Sequence, residues 1–112
     1  MSTPIKRTWE SLPYTILCAP LLDPGETITS VVSVTADQGG MTFGTPVINA
    51  SPFYLADGSL VPALTAIQVQ ISGGMITPSF TSLQCIVRAR FHTTESPNAR
   101  EATMYLILSD QP

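Results

Sequence analysis

The chain has 112 residues, a formal net charge of −3 and only 12% charged residues, about half of the share usual in soluble domains. Its five Lys and Arg residues are too few for the basic stripe that contacts a nucleic-acid backbone, and no run of about 18 apolar residues predicts a membrane span. The length predicts one domain. A neutral surface costs little to desolvate, which favours a subunit of an assembly; an ordinary β-protein with a Thr-rich surface is the alternative.

The N-terminal segment, residues 1–12, shows no strand periodicity and no apolar run behind its basic pair. A signal peptide is therefore not expected, and we expect synthesis in the cytosol. We predict an arm over residues 1–12 and one domain over residues 13–112. On a free arm Ile5 and Trp9 would be exposed to water, so we expect them to anchor a contact with a neighbouring subunit. The alternative is that the arm folds back onto an open edge of its own domain.

The first half of the domain contains two predicted strands and one edge strand. Residues 14–19 are a weak candidate. Residues 27–36 alternate between polar and apolar, which predicts a strand with Val32 and Val34 facing inward. Residues 41–50 are interrupted by a glycine and a proline, which is typical of an edge strand because a missing N–H does no harm there.

The loop at residues 51–62 follows, and it includes a short predicted strand at residues 53–55. Its apolar side chains form a patch that the domain's own core would not cover; they are Phe53, Tyr54, Leu55, Leu60 and Val61. We therefore expect a second contact surface in this loop.

The second half of the domain contains three clear strands. Residues 66–72 place isoleucine and valine on one face and two glutamines on the other. Residues 80–93 form the longest alternating run and predict a central strand. Residues 103–109 close the chain in a hairpin with that strand.

The strands and the turn signals between them predict the fold. Ten prolines are scattered through the chain, and no window has a helical period. We predict an all-β, immunoglobulin-like β-sandwich of about seven short antiparallel strands. Cys18 and Cys85 have the spacing of the disulfide that joins the sheets of such domains. Because the cytosol is reducing and the tryptophan expected after the first cysteine is absent, we expect two free thiols.

No residue pattern predicts catalysis. The single histidine, His92, shares a strand face with Arg88 and Arg90, and the acidic residues stand singly beside turns. We therefore expect no catalytic residue, no metal site and no cofactor. The glycosylation motif at Asn49 is interpreted as a chance match because no secretory signal is predicted.

Arg88 and Arg90 are the one charged feature that we consider as a contact surface. An outward pair of arginines can bind the carboxylates of a partner. The favoured alternative is an internal ladder with Glu101 or Glu95 across the terminal hairpin.

Four segments of the chain carry a resemblance to a known family. In order they are DPGETITS at residues 23–30, VSVTAD at residues 32–37, AIQVQISGG at residues 66–74 and REATMYLIL at residues 100–108. Together with Trp9 and Leu12 they resemble short Ig-like virion proteins of tailed bacteriophages, the fibre-tail adaptor family. The resemblance covers most of the chain, and residues 46–64 depart from it by being longer and more apolar than the family's usual middle.

The resemblance implies a structural role, the attachment of a tail fibre to a tail by protein contacts in several symmetric copies. The implied partners are other virion proteins, namely a tail adaptor or nozzle protein, a fibre or the major capsid protein, and the implied location is the virion, assembled in the host cytoplasm. The alternative within this class is decoration of the phage capsid. A carbohydrate-binding adhesin module is the alternative from another class, and it would require exposed, stacked aromatic side chains.

Overall fold

A computed structural model describes residues 4–76, 82–95 and 98–109 of the chain. Within these ranges the chain forms ten strands and one turn of 3₁₀ helix at Ala19–Leu21. In chain order the strands are β1 (Ile5–Arg7), β2 (Ser11–Leu17), β3 (Ile28–Ala36), β4 (Thr42–Phe43), β5 (Val47–Ile48), β6 (Phe53–Tyr54), β7 (Leu60–Val61), β8 (Ala66–Ser72), β9 (Ser82–Thr93) and β10 (Arg100–Ser109).

Eight of the ten strands form two sheets that enclose one core, and β6 and β7 pair with each other in a separate hairpin. Sheet I has the order β1-β10-β9-β3, and sheet II has the order β2-β8-β4, with β5 also paired to β8. With β4 and β5 counted as two halves of one edge strand, seven strands build the sandwich, and their order corresponds to the C-F-G and B-E-D order of an immunoglobulin domain. The predicted all-β, immunoglobulin-like sandwich is confirmed. One pairing differs from the all-antiparallel expectation, because β1 runs parallel to β10.

The core lies between the inward faces of β8 and β9, where the alternation of the sequence is strictest. Side chains at every second position of both strands are buried, while Gln70 on the opposite face of β8 is exposed. Each fully buried aliphatic or aromatic side chain stabilises the fold by about 1.5–3 kcal/mol. The buried members on these strands are Ile67, Val69, Ile71, Val87, Ala89 and Phe91.

Strand β3 corrects the predicted orientation of Val32. The register of β3 against β9 shifts twice, between Ile28 and Ser30 and between Val31 and Ser33. Each shift places two residues of β3 opposite one residue of β9, which is a β-bulge. As a result Val32 is 53% exposed, whereas Val31 and Val34 pack against the core.

The N-terminal segment is also corrected. Residues Ile5–Arg7 are not part of a separate arm but form β1, whose backbone pairs with the end of β10. The next strand, β2, already begins at Ser11, before the predicted domain boundary at residue 13. Pairing with the open edge of β10 satisfies backbone groups that a free arm would leave to solvent.

The remaining differences concern strand ends. Strand β2 begins three residues before the predicted residue 14, and β7 was not predicted. The predicted start of the long strand at Phe80 lies outside the described residues, as do Ser96 and Pro97 in the loop before β10.

The two cysteines are buried and unpaired. The N–H of Cys18 donates to the Thr65 carbonyl just before β8, whereas the Cys85 sulfur lies near Gly39 and Leu108, beyond the other end of β8. A strand of seven residues is about 20 Å long. The thiols are therefore too far apart for a disulfide, whose Cα atoms lie within about 7 Å. Burial raises the pKa of Cys18 to about 12.

Candidate interface surfaces

The residues predicted to make contacts fall into three separate regions of the surface. Ile5 and Trp9 lie at the β1 end, and Arg88 and Arg90 lie on the outer face of sheet I. The third group, Phe53, Tyr54 and Leu55, lies on and beside the β6–β7 hairpin.

Trp9 is held on a tight turn at the β1 end of the sandwich. The Arg7 N–H donates to Glu10 Oε1 at 2.7 Å, and the Glu10 N–H donates to the Arg7 carbonyl at 3.1 Å. The turn is tied to β10 because the Thr8 N–H donates to the Ser109 carbonyl at 3.0 Å. Trp9 projects from this ordered turn and is 63% exposed. A large aromatic side chain displayed on an ordered backbone loses little conformational entropy when a partner covers it.

Beneath this turn the side chain of Lys6 is fully buried. Its ammonium donates to the carbonyls of Gly73 at 2.5 Å and of Arg7 at 2.8 Å. Desolvation lowers the pKa of Lys6, and the nearby Glu10 carboxylate opposes that shift. These contacts fasten β1 to the end of β8, so the Trp9 turn is attached to both sheets.

The β6–β7 hairpin presents an exposed apolar pair. Tyr54 lies opposite Leu60, and both are exposed, Tyr54 at 73%. Phe53 is opposite the buried Val61, and it and Leu55 are half-buried. Of the side chains in the predicted patch, Tyr54 and Leu60 are therefore the two that are exposed for contact.

Asn49 fixes the base of this hairpin. It is buried, and its Oδ1 accepts the N–H groups of Thr65 and Ala66 at 3.0 and 2.9 Å. Its Nδ2 donates to the carbonyls of Ser51 and Pro62 at 3.2 and 2.8 Å. The amide is thus fully engaged in holding both ends of the hairpin, which is a structural role and not that of an exposed glycan acceptor.

The outer face of sheet I contains the arginines. Arg90 is opposite Glu101 on β10, and Nε lies 3.5 Å from Oε1 in an exposed ion pair. The predicted internal ladder is thus present for Arg90. Arg88 is opposite Thr103 and is half-buried. An exposed pair of this kind contributes at most about 1 kcal/mol.

Tyr105 is a further exposed aromatic on the same face that the sequence prediction missed. It is 51% exposed and lies opposite Ile86 on β9. The alternation of β10 indicates that Tyr105 is exposed, because Tyr105 is two residues from the exposed Thr103 and on the face opposite to the buried Leu106.

The Trp9 turn and the β6–β7 hairpin lie at opposite ends of the sandwich. The Gly73 N–H, just after β8, donates to the Glu10 carbonyl beside Trp9. At the other end of β8, Ala66 donates to Asn49 at the hairpin base. The length of β8, about 20 Å, therefore separates the two regions, in a molecule that extends over 46 × 31 × 20 Å.

A charged cluster lies near the hairpin base. Asp23, Glu26 and Glu95 have carboxylate oxygens within 4.8 Å of one another. Glu26 is buried, and its carboxylate accepts hydrogen bonds from Thr93 Oγ1, from the Asp23 N–H and from Arg100. These bonds lower the pKa of Glu26, the Thr93 bond most strongly. This carboxylate is already satisfied by protein donors, so the cluster is not prearranged to hold a metal ion.

Within the described ranges, no helix is both long enough and apolar enough to cross a membrane. Comparison of the chain with protein-family models, with curated proteins and with solved structures finds no match.

Proposed function

We propose that the chain is a bacteriophage virion protein, an Ig-like adaptor that joins a tail fibre to the tail by contacts at its two ends. The observation that supports this most directly is that two pairs of exposed apolar side chains lie at opposite ends of the sandwich. Ile5 and Trp9 lie at one end and Tyr54 and Leu60 at the other, separated by about the length of β8.

This arrangement suits a connector for a physical reason. A protein that joins two others must present two surfaces far enough apart for both partners to bind at once. Exposed aromatic anchors supply much of the free energy at such contacts, and β8 spans the distance between the two ends.

The alternatives require different arrangements of the same side chains. Decoration of a capsid needs one contact surface on the shell, which leaves one apolar end without a role. A carbohydrate-binding module stacks sugars on neighbouring aromatic side chains, whereas Trp9 and Tyr54 lie at opposite ends. The separation of the two ends favours the adaptor over both.

The first test is the identity of the neighbouring genes, since tail genes on both sides support the adaptor and an adjacent major capsid gene supports decoration. The chain is then co-expressed with the tail and fibre proteins encoded beside it, and complexes are separated by size-exclusion chromatography. We expect a ternary complex. Trp9→Ala should release one of the two partners, and the double substitution Tyr54→Ala and Leu60→Ala should release the other.

The matched control is Tyr105→Ala, which removes another exposed aromatic, outside the two ends, and should leave both partners bound. If both end variants keep both partners, the two-ended adaptor is wrong. If the chain binds the capsid protein alone, decoration replaces it.

A further inference from the structure

A groove opens beside the base of the β6–β7 hairpin, with a volume of about 320 Å³. One wall is the segment around the 3₁₀ turn and the following loop, and the other is the segment that enters β8. Its apolar lining consists of Ala19, Leu22, Pro24, Pro62 and Ala63, and the other lining residues are Asp23, Gly25, Glu26, Thr27 and Thr65. The volume lies at the small end of the range for ligand pockets and suits one long side chain.

Hydrogen bonds hold the backbone of the groove wall that enters β8 in one conformation before any ligand binds. Leu64 has a φ of 63°, a left-handed conformation that costs a non-glycine residue about 1 kcal/mol or more. Two backbone bonds hold it there, from its N–H to the Asn49 carbonyl at 2.7 Å and from the Ile28 N–H to its carbonyl at 2.8 Å. Thr65 Oγ1 also donates to the Pro62 carbonyl at 2.7 Å. A preformed groove costs little further ordering when it is filled.

The rim of the groove has an excess of negative charge. Asp23 and Glu26 line it, and Glu95 is within 4.8 Å of both carboxylates. Arg100 neutralises Glu26 through a contact of 2.7 Å, which leaves the exposed carboxylates of Asp23 and Glu95 unbalanced. Several like charges close together attract a cation more strongly than one exposed carboxylate does.

We propose that this groove is the docking site for a long cationic side chain, lysine or arginine, on the partner that binds the hairpin end. The aliphatic stem of such a side chain would lie against the apolar lining, and its charged end would meet Asp23 and Glu95 at the rim. No other common side chain combines an apolar stem of this length with a positive charge. The identity of the partner rests on the proposed adaptor function, whereas the groove chemistry is tested separately.

The test uses the full chain labelled with ¹⁵N, and Nα-acetyl-lysine methylamide and Nα-acetyl-arginine methylamide as probes. Nα-acetyl-norleucine methylamide, which has a similar stem without the charge, is the matched ligand control. We expect the cationic probes to shift the amide signals of Ala19, Gly25, Ala63 and Thr65 saturably, with millimolar dissociation constants that rise with added sodium chloride. Norleucine should bind more weakly.

Two single substitutions, Asp23→Asn and Glu95→Gln, should each raise the dissociation constant for the lysine probe by about two- to fivefold. Both preserve the backbone bonds of the loop, because the contacts of Asp23 with Glu26 use its backbone N–H and carbonyl. Glu101→Gln makes the same change of charge on the outer face of sheet I and should have no effect. Ala63→Phe fills the groove without changing its charge and should abolish binding.

Equal binding of norleucine and lysine would overturn the proposal, as would shifts that do not saturate or rim substitutions without effect. Titration with calcium chloride is a further arm, and a saturable calcium response at the same amides that displaces lysine would assign the rim to a divalent cation instead. If the chain binds the lysine probe but joins no tail proteins, the adaptor function is wrong and the groove proposal stands. If the chain joins the tail proteins but does not bind the lysine probe, the groove proposal alone is wrong.

Discussion

Arg100 Nη1 lies 2.7 Å from Glu26 Oε1, so the first residue of β10 is tied to the turn that precedes β3. The same nitrogen donates to the Leu21 carbonyl at 2.6 Å, and Glu26 also accepts from Thr93 at the end of β9. One buried carboxylate therefore connects the turn before β3 to the end of β9 and the start of β10, which lie more than 60 residues away in the sequence.

Stability should decrease in acid because of Glu26. Its pKa in the folded state is lowered from the ordinary value of 4.5, chiefly by the Thr93 hydrogen bond, so below pH 4.5 the unfolded chain binds more protons at this site. The stabilisation is therefore present above pH 4.5 and is lost as the pH falls through the lowered pKa. Urea unfolding from pH 3 to pH 7 should show this loss, and Glu26→Gln should weaken the dependence on pH. A dependence that is unchanged in Glu26→Gln would assign the acid sensitivity to other groups.

Tyr14→Phe should keep or increase stability. Among the described residues, the Tyr14 hydroxyl is buried and has no hydrogen-bond partner, and an unsatisfied buried polar group costs about 1–3 kcal/mol. We expect a gain of up to about 1 kcal/mol in the free energy of unfolding. Tyr105→Phe, which removes an exposed hydroxyl, should change nothing. A loss above 1 kcal/mol in Tyr14→Phe would show that the hydroxyl is hydrogen-bonded in solution.

Gly74→Ala should destabilise the end of the sandwich near Trp9. A Cβ at this position would lie 2.8 Å from Leu108 Cδ2, and φ is +131°, which disfavours any L side chain. Overpacking and strain together should cost about 1–3 kcal/mol. Gly25→Ala is the control, because its φ is +81° but nothing lies within 4 Å of the added Cβ. Thermal unfolding should place Gly25→Ala between wild type and Gly74→Ala, and the reverse order would contradict the contact with Leu108.

Asn49→Ala should destabilise the β6–β7 hairpin and lower the free energy of unfolding. It removes the acceptor of two buried N–H groups, those of Thr65 and Ala66, and each orphaned donor costs about 1–3 kcal/mol. Urea denaturation should show a loss of more than about 2 kcal/mol, and amide exchange should accelerate in residues 49–65. Ser51→Ala removes the glycosylation motif as well but keeps the backbone carbonyl that Asn49 uses, so its stability should match wild type. Equal losses in both variants would contradict the role of the Asn49 side chain.

The two bulges of β3 predict opposite results for adjacent valines. Val31→Asp places a charge against the core and should cost about 2–4 kcal/mol. Val32→Asp changes an exposed side chain and should cost less than about 1 kcal/mol. Simple alternation predicts the reverse order, so chemical denaturation of the two variants decides between an ideal strand and the bulged one.

The identity of β8, β9 and β10 as strands and the facing of β8 and β9 followed from the sequence, because side chains alternate strictly along an uninterrupted strand. The residues at 66–72 needed no tertiary information, since their two glutamines and three branched apolar residues separate by position alone. The interrupted edge strand at β4 and β5 was predicted for a similar local reason, the glycine and proline between its halves.

Three features depended on the tertiary structure. They are the pairing of β1 with β10, the bulges at Thr29 and Val32, and the contacts of Thr93 and Arg100 with Glu26. Three residues of β1 have too short a pattern to indicate a strand, and they become one because β10 offers an open edge beside them. A bulge is a mismatch between two strands, so β3 alone does not contain it. The groove and its acidic rim likewise join residues up to 72 positions apart, from Asp23 to Glu95, which only the folding of the two sheets around one core brings together.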